Sequence, residues 1–291
     1  MGCFMIIVLK KTAREAWKVF KDSGMSFKPF RDAIMAESTY KCTIEDCLNG
    51  LYFAIDLGWY DYATFDTKTY ERYEKVENGD MNWIVPKKFL AFAGPASKKH
   101  DEDGYRQYTP ADYNPVFKKF GVELVVRLNK KKYDETIFSD YGFEHLDIPY
   151  EDGTIPPQEI IDHFLKNAES TEGAIAIHCK AGLGRTGTLI GLYCMKHYGF
   201  PAAAFIGWAR ICRPGSVLGP QQHYLNEIEM EMMELGGSLH LKEELVSKMG
   251  SMSLEEKKSI EMSPDEKRIK RKGDIGQAER LKEQKRKRGM K

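Results

Sequence analysis

A cysteine and an arginine at the two ends of one short loop are the groups best suited to chemistry on a phosphate. Cys179 follows the apolar run 174–178, and Arg185 opens the next apolar stretch, with Gly182 and Gly184 between them. A strand, a glycine-containing loop and a helix in this order present unpaired backbone N–H groups and the positive end of a helix dipole. The pattern therefore predicts an anion cradle of phosphate size.

The residue types in this cradle suit nucleophilic phosphoryl transfer. A thiol ordinarily has a pKa of about 8.5, which a helix N-terminus and nearby positive charge lower, so Cys179 would attack phosphorus as a thiolate and form a phosphocysteine. The planar fork of Arg185 matches two phosphate oxygens, and the Thr186 hydroxyl can donate to the thiolate. We expect His178 to hydrogen-bond the loop. The predicted phosphate-binding residues are Lys180, Ala181, Gly182, Leu183, Gly184 and Arg185, with Lys180 a solvated charge rather than a catalytic group.

Two other phosphate-binding loops compete for the same residues. A nucleoside-triphosphate loop requires Lys where this sequence has Thr188. The dinucleotide fingerprint G-x-G-x-x-G matches Gly182, Gly184 and Gly187, but it needs an acidic residue at a strand end about 20 residues on. The segment at that distance, 207–212, contains no acid. A dinucleotide-binding oxidoreductase is the main competing enzyme class, although it leaves the thiol and the guanidinium without a role.

Phosphate transfer to a thiolate needs a general acid for the leaving oxygen. Asp152 precedes a glycine in a loop closed by two prolines, just before a predicted helix, which suits a mobile flap. Asp147 adjoins strand-like residues, and we expect it to hydrogen-bond locally. Glu151 would point away if Asp152 points in. Asp152 is therefore the favoured general acid.

Apolar patterning predicts the elements that position these groups. Short buried runs alternate with amphipathic stretches after residue 83, which indicates an α/β layer with a largely parallel sheet. The predicted strands are 1–9, 89–94, 122–128 and 174–178. The predicted helices are 12–21, 43–57, 159–167, 185–198, 201–211 and 220–235, with a further helix at 239–254 and disorder from about 262.

Composition and charge narrow the function classes. With 42% hydrophobic and 12% aromatic residues in 291, the chain has enough apolar material for a core, and no apolar run approaches membrane-spanning length. Residues 265–291 carry 12 Lys and Arg against 5 Asp and Glu, whereas the rest carries 32 against 38. An acidic body speaks against nucleic-acid binding by the folded part and suits basic peptides. The six cysteines show no C-x-x-C pair and predict reduced thiols.

Four segments of this sequence resemble one family closely. They are 73–83, 127–130, 178–187 and 210–222. They are similar to the cell-division-cycle fourteen family of mitotic-exit dual-specificity protein phosphatases, in the cysteine-dependent tyrosine phosphatase superfamily. The resemblance implies an α/β fold of tandem dual-specificity-phosphatase-like domains, each a parallel-rich sheet flanked by helices, of which only the second is catalytic.

The resemblance also implies roles. Cys179 would be the nucleophile, Arg185 the phosphate clamp, Asp152 the general acid, and Gln222 would place the hydrolytic water unless it is an ordinary polar residue at a helix start. Family members remove phosphate from phospho-Ser or phospho-Thr followed by Pro, and also from phospho-Tyr. This reaction reverses phosphorylation by cyclin-dependent kinases and needs no cofactor or metal. The remaining substrate-binding residues would be Ala181 and Leu183, which wall a pocket for the proline, and Glu77 and Asp80, in an acidic groove that takes a basic residue.

The domain organisation follows from the same segments. We predict a non-catalytic domain at 1–65, a linker at 66–82, a catalytic domain at 83–237 and a charged tail at 238–291. Residues 2–12 and 28–33 resemble the middle and end of the family's first domain, so we expect that domain to be incomplete, through a shortened form or a late-placed start. A catalytically silent phosphopeptide reader is the alternative that is not an enzyme.

Partners and location follow from charge and family. The predicted partners are phosphoproteins with phospho-Ser-Pro sites near basic residues, with no nucleic acid on the folded body and no membrane. Two basic clusters, 267–272 and 285–288, suit either a nuclear import signal or a solubilising tail. The predicted location is nuclear and cytoplasmic, with spindle or centrosome association.

Overall fold

Five strands form one sheet in the order β1-β2-β5-β3-β4 in the computed structural model, which describes residues 1–34 and 38–237. The strands are β1 Met81–Val85, β2 Phe89–Phe92, β3 Val122–Arg127, β4 Glu144–Asp147 and β5 Ala174–His178. β1 pairs with β2 in antiparallel orientation, and every other pair is parallel. The sheet is therefore mixed but parallel-rich, as predicted.

The central strand β5 carries the functional loop. All five of its residues are buried, which is typical of a parallel strand covered on both faces. Its last residue, His178, is in register with Arg127 at the end of β3, and Arg127 is in register with Asp147 at the end of β4. The carboxyl ends of three strands thus meet at one edge, where open α/β sheets place their binding sites.

Ten helices surround the sheet within the described residues. They are α1 Gly2–Ile7, α2 Ala13–Lys21, α3 Ile44–Asp56, α4 Thr67–Tyr73, α5 Pro110–Lys119, α6 Thr136–Asp140, α7 Gln158–Ser170, α8 Gly184–Tyr198, α9 Ala202–Cys212 and α10 Pro220–Leu235. Thr12 and Thr43 begin α2 and α3 with capping boxes, each accepting from a backbone N–H three residues on. No helix in this part of the chain combines the length and apolarity needed to cross a bilayer.

The N-terminal helices pack against the same core as the sheet. Phe53 of α3 stacks on Phe200 with ring centroids 4.9 Å apart, and both side chains are fully buried. The backbones of α3 and α9 approach closely, because a Cβ on Gly50 would collide with the Ala204 carbonyl oxygen and one on Gly207 would lie 2.6 Å from the Asp46 carbonyl oxygen. Residues before the predicted linker are therefore held rigidly against the helices that follow the functional loop.

Most predicted elements are confirmed, and the exceptions have physical reasons. The predicted strand at 1–9 is wrong: most of this segment forms α1, in which Ile6 is buried and Phe4 is half-exposed, and Val8 just after it is also half-exposed. A short apolar run has no period that separates strand from helix. The predictions also missed β4, α5 and α6, and they missed β1, which begins inside the predicted linker. The predicted helix at 239–254 and the predicted disorder lie outside the described residues.

Candidate active site

The loop between β5 and α8 forms a tight cradle at the carboxyl edge of the sheet. Cys179 follows the last strand residue, and Gly184 begins α8, so Arg185 and Thr186 lie in the first helical turn. Gly182 has φ +66°, and a Cβ there would collide with the Phe92 carbonyl oxygen. Only glycine allows the loop to approach β2 this closely. The strand, loop and helix predicted around Cys179 are confirmed.

Cys179 is set up to be a thiolate. The residue is only 3% exposed, and this burial by itself raises the pKa of the thiol. The Arg185 guanidinium, the Thr186 hydroxyl and the Thr186 backbone N–H together outweigh burial, so the pKa lies below the ordinary value for cysteine. A buried thiol with a lowered pKa beside a cation has the properties of a reactive nucleophile.

Arg185 is oriented by backbone carbonyls and by Asp152. Its Nη1 donates to the carbonyl oxygens of Leu128 at 3.0 Å and Tyr150 at 2.8 Å, and its Nη2 pairs with Asp152 Oδ1 at 3.1 Å. Arg185 Nε has no hydrogen-bond partner within 1–34 and 38–237, and Thr186 Oγ1 has none there besides the neighbouring thiol. A phosphate oxygen would satisfy the buried Arg185 Nε–H.

The two candidate acids occupy different environments. Asp152 lies in the turn between β4 and α7, and its side chain is 44% exposed while it pairs with Arg185. Asp147 instead accepts from Arg127 Nε at 2.8 Å and also pairs with Arg127 Nη2. Asp147 therefore bonds a neighbouring strand instead of a residue close to it in sequence, and the structure brings Asp152, not Asp147, to the cradle. Glu151 is exposed.

His178 holds the start of the phosphate loop through hydrogen bonds from its ring. Its Nδ1 hydrogen-bonds the Cys179 carbonyl oxygen at 2.9 Å, and its Nε2 bonds the Tyr133 hydroxyl at 2.7 Å. Burial lowers the pKa of His178 to about 3, so the ring is neutral at physiological pH. Because a carbonyl oxygen only accepts, Nδ1 carries the proton and Tyr133 donates to Nε2. The predicted structural role of His178 is confirmed.

The segment after α9, residues 213–219, braces the phosphate loop, and we call it the support loop. Arg213 donates from Nε to the Gly182 carbonyl oxygen and from Nη2 to the Ala181 carbonyl oxygen, both at 2.8 Å. Val217 N donates to the Leu183 carbonyl oxygen at 3.2 Å. The sequence analysis missed Arg213, since nothing near it in sequence indicates that it reaches a loop about thirty residues earlier.

The prediction that Asp80 lines an exposed acidic groove is not supported by the structure. Asp80 is 3% exposed, and its carboxylate pairs with Arg213 Nη1 at 2.9 Å. Arg213 Nη1 also donates to Asn82 Oδ1 at 2.7 Å. Asp80 therefore neutralises the arginine that braces the phosphate loop. Glu77 is exposed, as the groove requires.

Gln222 is likewise engaged away from the cradle. Its Nε2 donates to Asp32 Oδ2 at 2.8 Å and to the Gly219 carbonyl oxygen at 3.2 Å, and its Oε1 accepts from Arg210. With both ends of the amide occupied, this geometry does not support direct placement of the hydrolytic water. Gln221, which the sequence analysis missed, donates to the Thr154 carbonyl oxygen at 3.0 Å and so ties the Asp152 loop to α10.

The pocket residues differ in accessibility. Lys180 and Ala181 are partly exposed at the rim of the cradle, whereas Leu183 is only 1% exposed. The structure does not support the dinucleotide-binding hypothesis, because that fold needs a second strand-helix unit after Gly187. In the described residues after β5, which end at 237, the chain forms three helices and no strand.

Replacing Asp80 with asparagine is expected to destabilise the fold. The change removes the carboxylate that pairs with buried Arg213, and breaking a buried ion pair costs about 3 kcal/mol. The melting temperature measures this effect. Glu77→Gln, at an exposed acid nearby, is the control. Equal melting temperatures for the two variants would contradict this assignment.

Comparisons with known proteins show which phosphatases the chain is similar to. A model described as the N-terminal half of dual specificity protein phosphatases matches residues 1–54, and one for a DSP-PTPase phosphatase of polymorphic toxin systems matches 104–199. The dual specificity protein phosphatase CDC14A of Homo sapiens is 52% identical over 237 residues, covering 81% of this chain and 40% of the relative.

Other relatives give the same result. CDC14AB of Danio rerio is 48% identical over 264 residues, covering 87% of this chain and 43% of the relative. The tyrosine-protein phosphatase CDC14 of Saccharomyces cerevisiae is 41% identical over 233 residues, covering 77% and 42%. The chain thus spans less than half the length of these curated relatives. Since identity of this level extends over most of the chain, the chain is homologous to the CDC14 dual-specificity phosphatases.

Proposed function

We propose that this chain hydrolyses phosphate esters on proteins through a phosphocysteine formed on Cys179. The observation that carries the proposal is a buried thiol of lowered pKa in a loop whose helix end supplies Arg185, itself paired with Asp152. Nucleophile, anion clamp and proton donor thus come together at one edge of the sheet. A phosphopeptide reader would need only the anion clamp.

The proposed first step transfers phosphate to sulfur. The Cys179 thiolate attacks phosphorus while the bond from phosphorus to the substrate oxygen breaks. Asp152 donates its proton to the leaving oxygen, and Arg185 exchanges its carboxylate partner for phosphate oxygens as negative charge spreads onto them. The helix N-terminus supplies backbone donors to the same anion.

The second step releases phosphate. Water attacks the phosphocysteine, and the sulfur leaves as a thiolate, which the same cation and donors stabilise. Asp152, now ionised, takes the proton from the attacking water. The thiolate and the protonated acid are regenerated, and inorganic phosphate is released. The cycle requires no electron transfer.

The proposed substrates are phospho-Ser and phospho-Thr followed by proline, together with phospho-Tyr, in proteins marked by cyclin-dependent kinases. The names of the relatives support dual specificity and tyrosine phosphatase activity, and Ala181 is partly exposed at the rim of the cradle. A role in cell-cycle control and a nuclear and cytoplasmic location, with spindle or centrosome association, are part of this proposal. The basic clusters behind the location lie outside the described residues.

Hydrolysis of p-nitrophenyl phosphate with a metal chelator present tests the proposed reaction. We expect turnover that iodoacetate removes in parallel with labelling of Cys179, and inorganic phosphate should protect the thiol by occupying the cradle. Metal-dependent activity, or activity that survives full labelling of Cys179, would exclude the phosphocysteine route. Binding of a phosphopeptide without turnover would favour the reader instead.

Substrate charge gives a smaller expected effect. A phospho-Ser-Pro peptide with Lys two residues past the proline should react faster than its alanine version, and Glu77→Gln should reduce that advantage. Glu77 is exposed, and an exposed charge contact is worth about 0.2–1 kcal/mol, so the change should not exceed about fivefold. The kcat/KM of both peptides measures it, with exposed Glu159→Gln as the matched control. An unchanged Lys preference would place the groove elsewhere.

A further inference from the structure

An acidic residue of the N-terminal segment reaches the support loop. Asp32 Oδ2 accepts from the Gly219 backbone N–H at 3.0 Å and from Gln222 Nε2 at 2.8 Å. Asp32 Oδ1 accepts from Ile34 N at 3.2 Å, and the residue is only 8% exposed. This carboxylate therefore joins a segment far from the cradle in sequence to the junction between the support loop and α10.

The support loop is held in a conformation that its sequence disfavours. Val217 has φ +59°, a left-handed backbone in which a β-branched side chain is strained. Arg210 binds this conformation, donating from Nη2 to the Val217 carbonyl oxygen and from Nε to the Ser216 carbonyl oxygen, both at 3.1 Å. Such strain persists only where surrounding contacts impose it.

Asp32 and Arg210 both bind the support loop, and both bind the side chain of Gln222. Gln222 accepts from Arg210 and donates to Asp32, so its amide links the two charges. Arg210 Nη1 also donates to the Phe30 carbonyl oxygen, two residues before Asp32. Side chains of the same segment fill the space beside the loop: a Cβ on Gly219 would lie 2.7 Å from Ile34 Cδ1, and one on Gly215 would lie 3.0 Å from Ala33 Cβ.

The support loop contacts the end of the phosphate loop and the start of α8. Val217 N donates to the Leu183 carbonyl oxygen, the residue just before α8, and Val217 packs against Gly187 of that helix. Leu218 lies 3.0 Å from where a Cβ on Gly184 would be. A shift at Val217 would therefore move the turn from which Arg185 and the backbone donors face the anion.

We propose that Asp32 is a positioning residue for the phosphate cradle, acting through Gly219 and Gln222 on the strained support loop. It touches no substrate, and the proposal rests on the proposed function of the cradle. Loss of the carboxylate leaves the Gly219 N–H without this acceptor, removes one of the two acceptors of Gln222 Nε2, and frees Val217 to relax. A displacement of about 1 Å at a catalytic group can lower its rate about a hundredfold.

The test replaces Asp32 with asparagine, which keeps the shape but has only one acceptor oxygen. In either orientation of the amide, its NH2 group faces a donor: Gly219 N and Gln222 Nε2 on one side, or Ile34 N on the other. We expect kcat/KM for p-nitrophenyl phosphate to fall about 10- to 100-fold and the Kd for inorganic phosphate, measured by calorimetry, to rise about tenfold. Exposed Asp22→Asn, in the same N-terminal region, is the matched control and should change neither quantity.

A purely structural role for Asp32 predicts a different result. Fewer folded molecules would lower the maximal rate, yet KM and the phosphate Kd of the folded fraction would equal those of wild type. That outcome overturns the proposal, as does an equal change in the Asp22 control. Phosphate binding is measurable without turnover, so an inactive wild type would contradict the proposed function while the Asp32 comparison remained decisive.

A second variant keeps the proposal falsifiable if Asp32→Asn folds poorly. The pair Asp32→Asn with Gln222→Glu restores a donor facing an acceptor and keeps one negative charge beside Arg210. We expect this double variant to bind phosphate at least about threefold more tightly than Gln222→Glu alone, which opposes two carboxylates. Equal phosphate affinity in these two variants overturns the proposal.

Discussion

Cys179→Ser is expected to abolish turnover while phosphate still binds. Loss of the nucleophile should lower kcat by at least about 10⁴-fold, because a serine hydroxyl is not ionised near neutral pH and cannot replace a thiolate whose pKa is lowered by Arg185 and Thr186. Arg185 and the helix N-terminus remain, so the Kd for phosphate should stay within a few-fold of wild type. Steady-state kinetics and calorimetry measure the two quantities.

The control for this variant is Cys3→Ser, because Cys3 lies in α1 and is exposed. It should keep full activity. Residual turnover of Cys179→Ser within tenfold of wild type would rule out the thiolate mechanism.

The lowered pKa of Cys179 also predicts how activity depends on pH. Since only the thiolate attacks phosphorus, kcat/KM should rise as the pH increases through that pKa. The acidic limb of the pH profile should therefore lie below the ordinary pKa range of cysteine.

Asp152→Ala should slow protein substrates far more than an activated aryl phosphate. A general acid contributes about 10²–10⁴-fold when the leaving oxygen is a serine alkoxide, which is strongly basic. Nitrophenolate leaves without a proton, so its rate should fall less than about tenfold. Parallel kcat/KM measurements on a phospho-Ser-Pro peptide and p-nitrophenyl phosphate show the difference, with exposed neighbour Glu151→Gln as the control.

The ion pair between Asp152 and Arg185 adds a second signature to this variant. The Asp152 carboxylate raises the pKa of Cys179 and occupies Arg185 Nη2 at 3.1 Å. Its removal should lower the thiol pKa further and strengthen phosphate binding. Equal losses on both substrates would mean that another residue supplies the proton, and Asp147, although bound to Arg127, would be the next candidate.

The elements recovered from sequence are those with strong local patterns. β5 is an unbroken apolar run that ends in a glycine-containing loop, and α10 begins at Pro220, a residue suited to a first helical turn. β4 was missed because its four residues, Glu144–Asp147, are half-exposed and include two acids. The segment 1–9 became a helix because Gly2 and Ile6 pack on other helices, which no local pattern reveals.

The sequence by itself identified the groups of the cradle, because Cys179, Arg185 and Thr186 lie close together between the end of β5 and the first turn of α8. Only the tertiary structure decided the roles of Asp80, Gln222 and Asp32. Each of these polar groups is buried, and burial requires a partner: Arg213 for Asp80, and one another for Gln222 and Asp32. Those partners lie more than 100 residues away, so sequence spacing carries no record of them. The family resemblance suggested a substrate groove at Asp80, where the fold instead places an ion pair with Arg213.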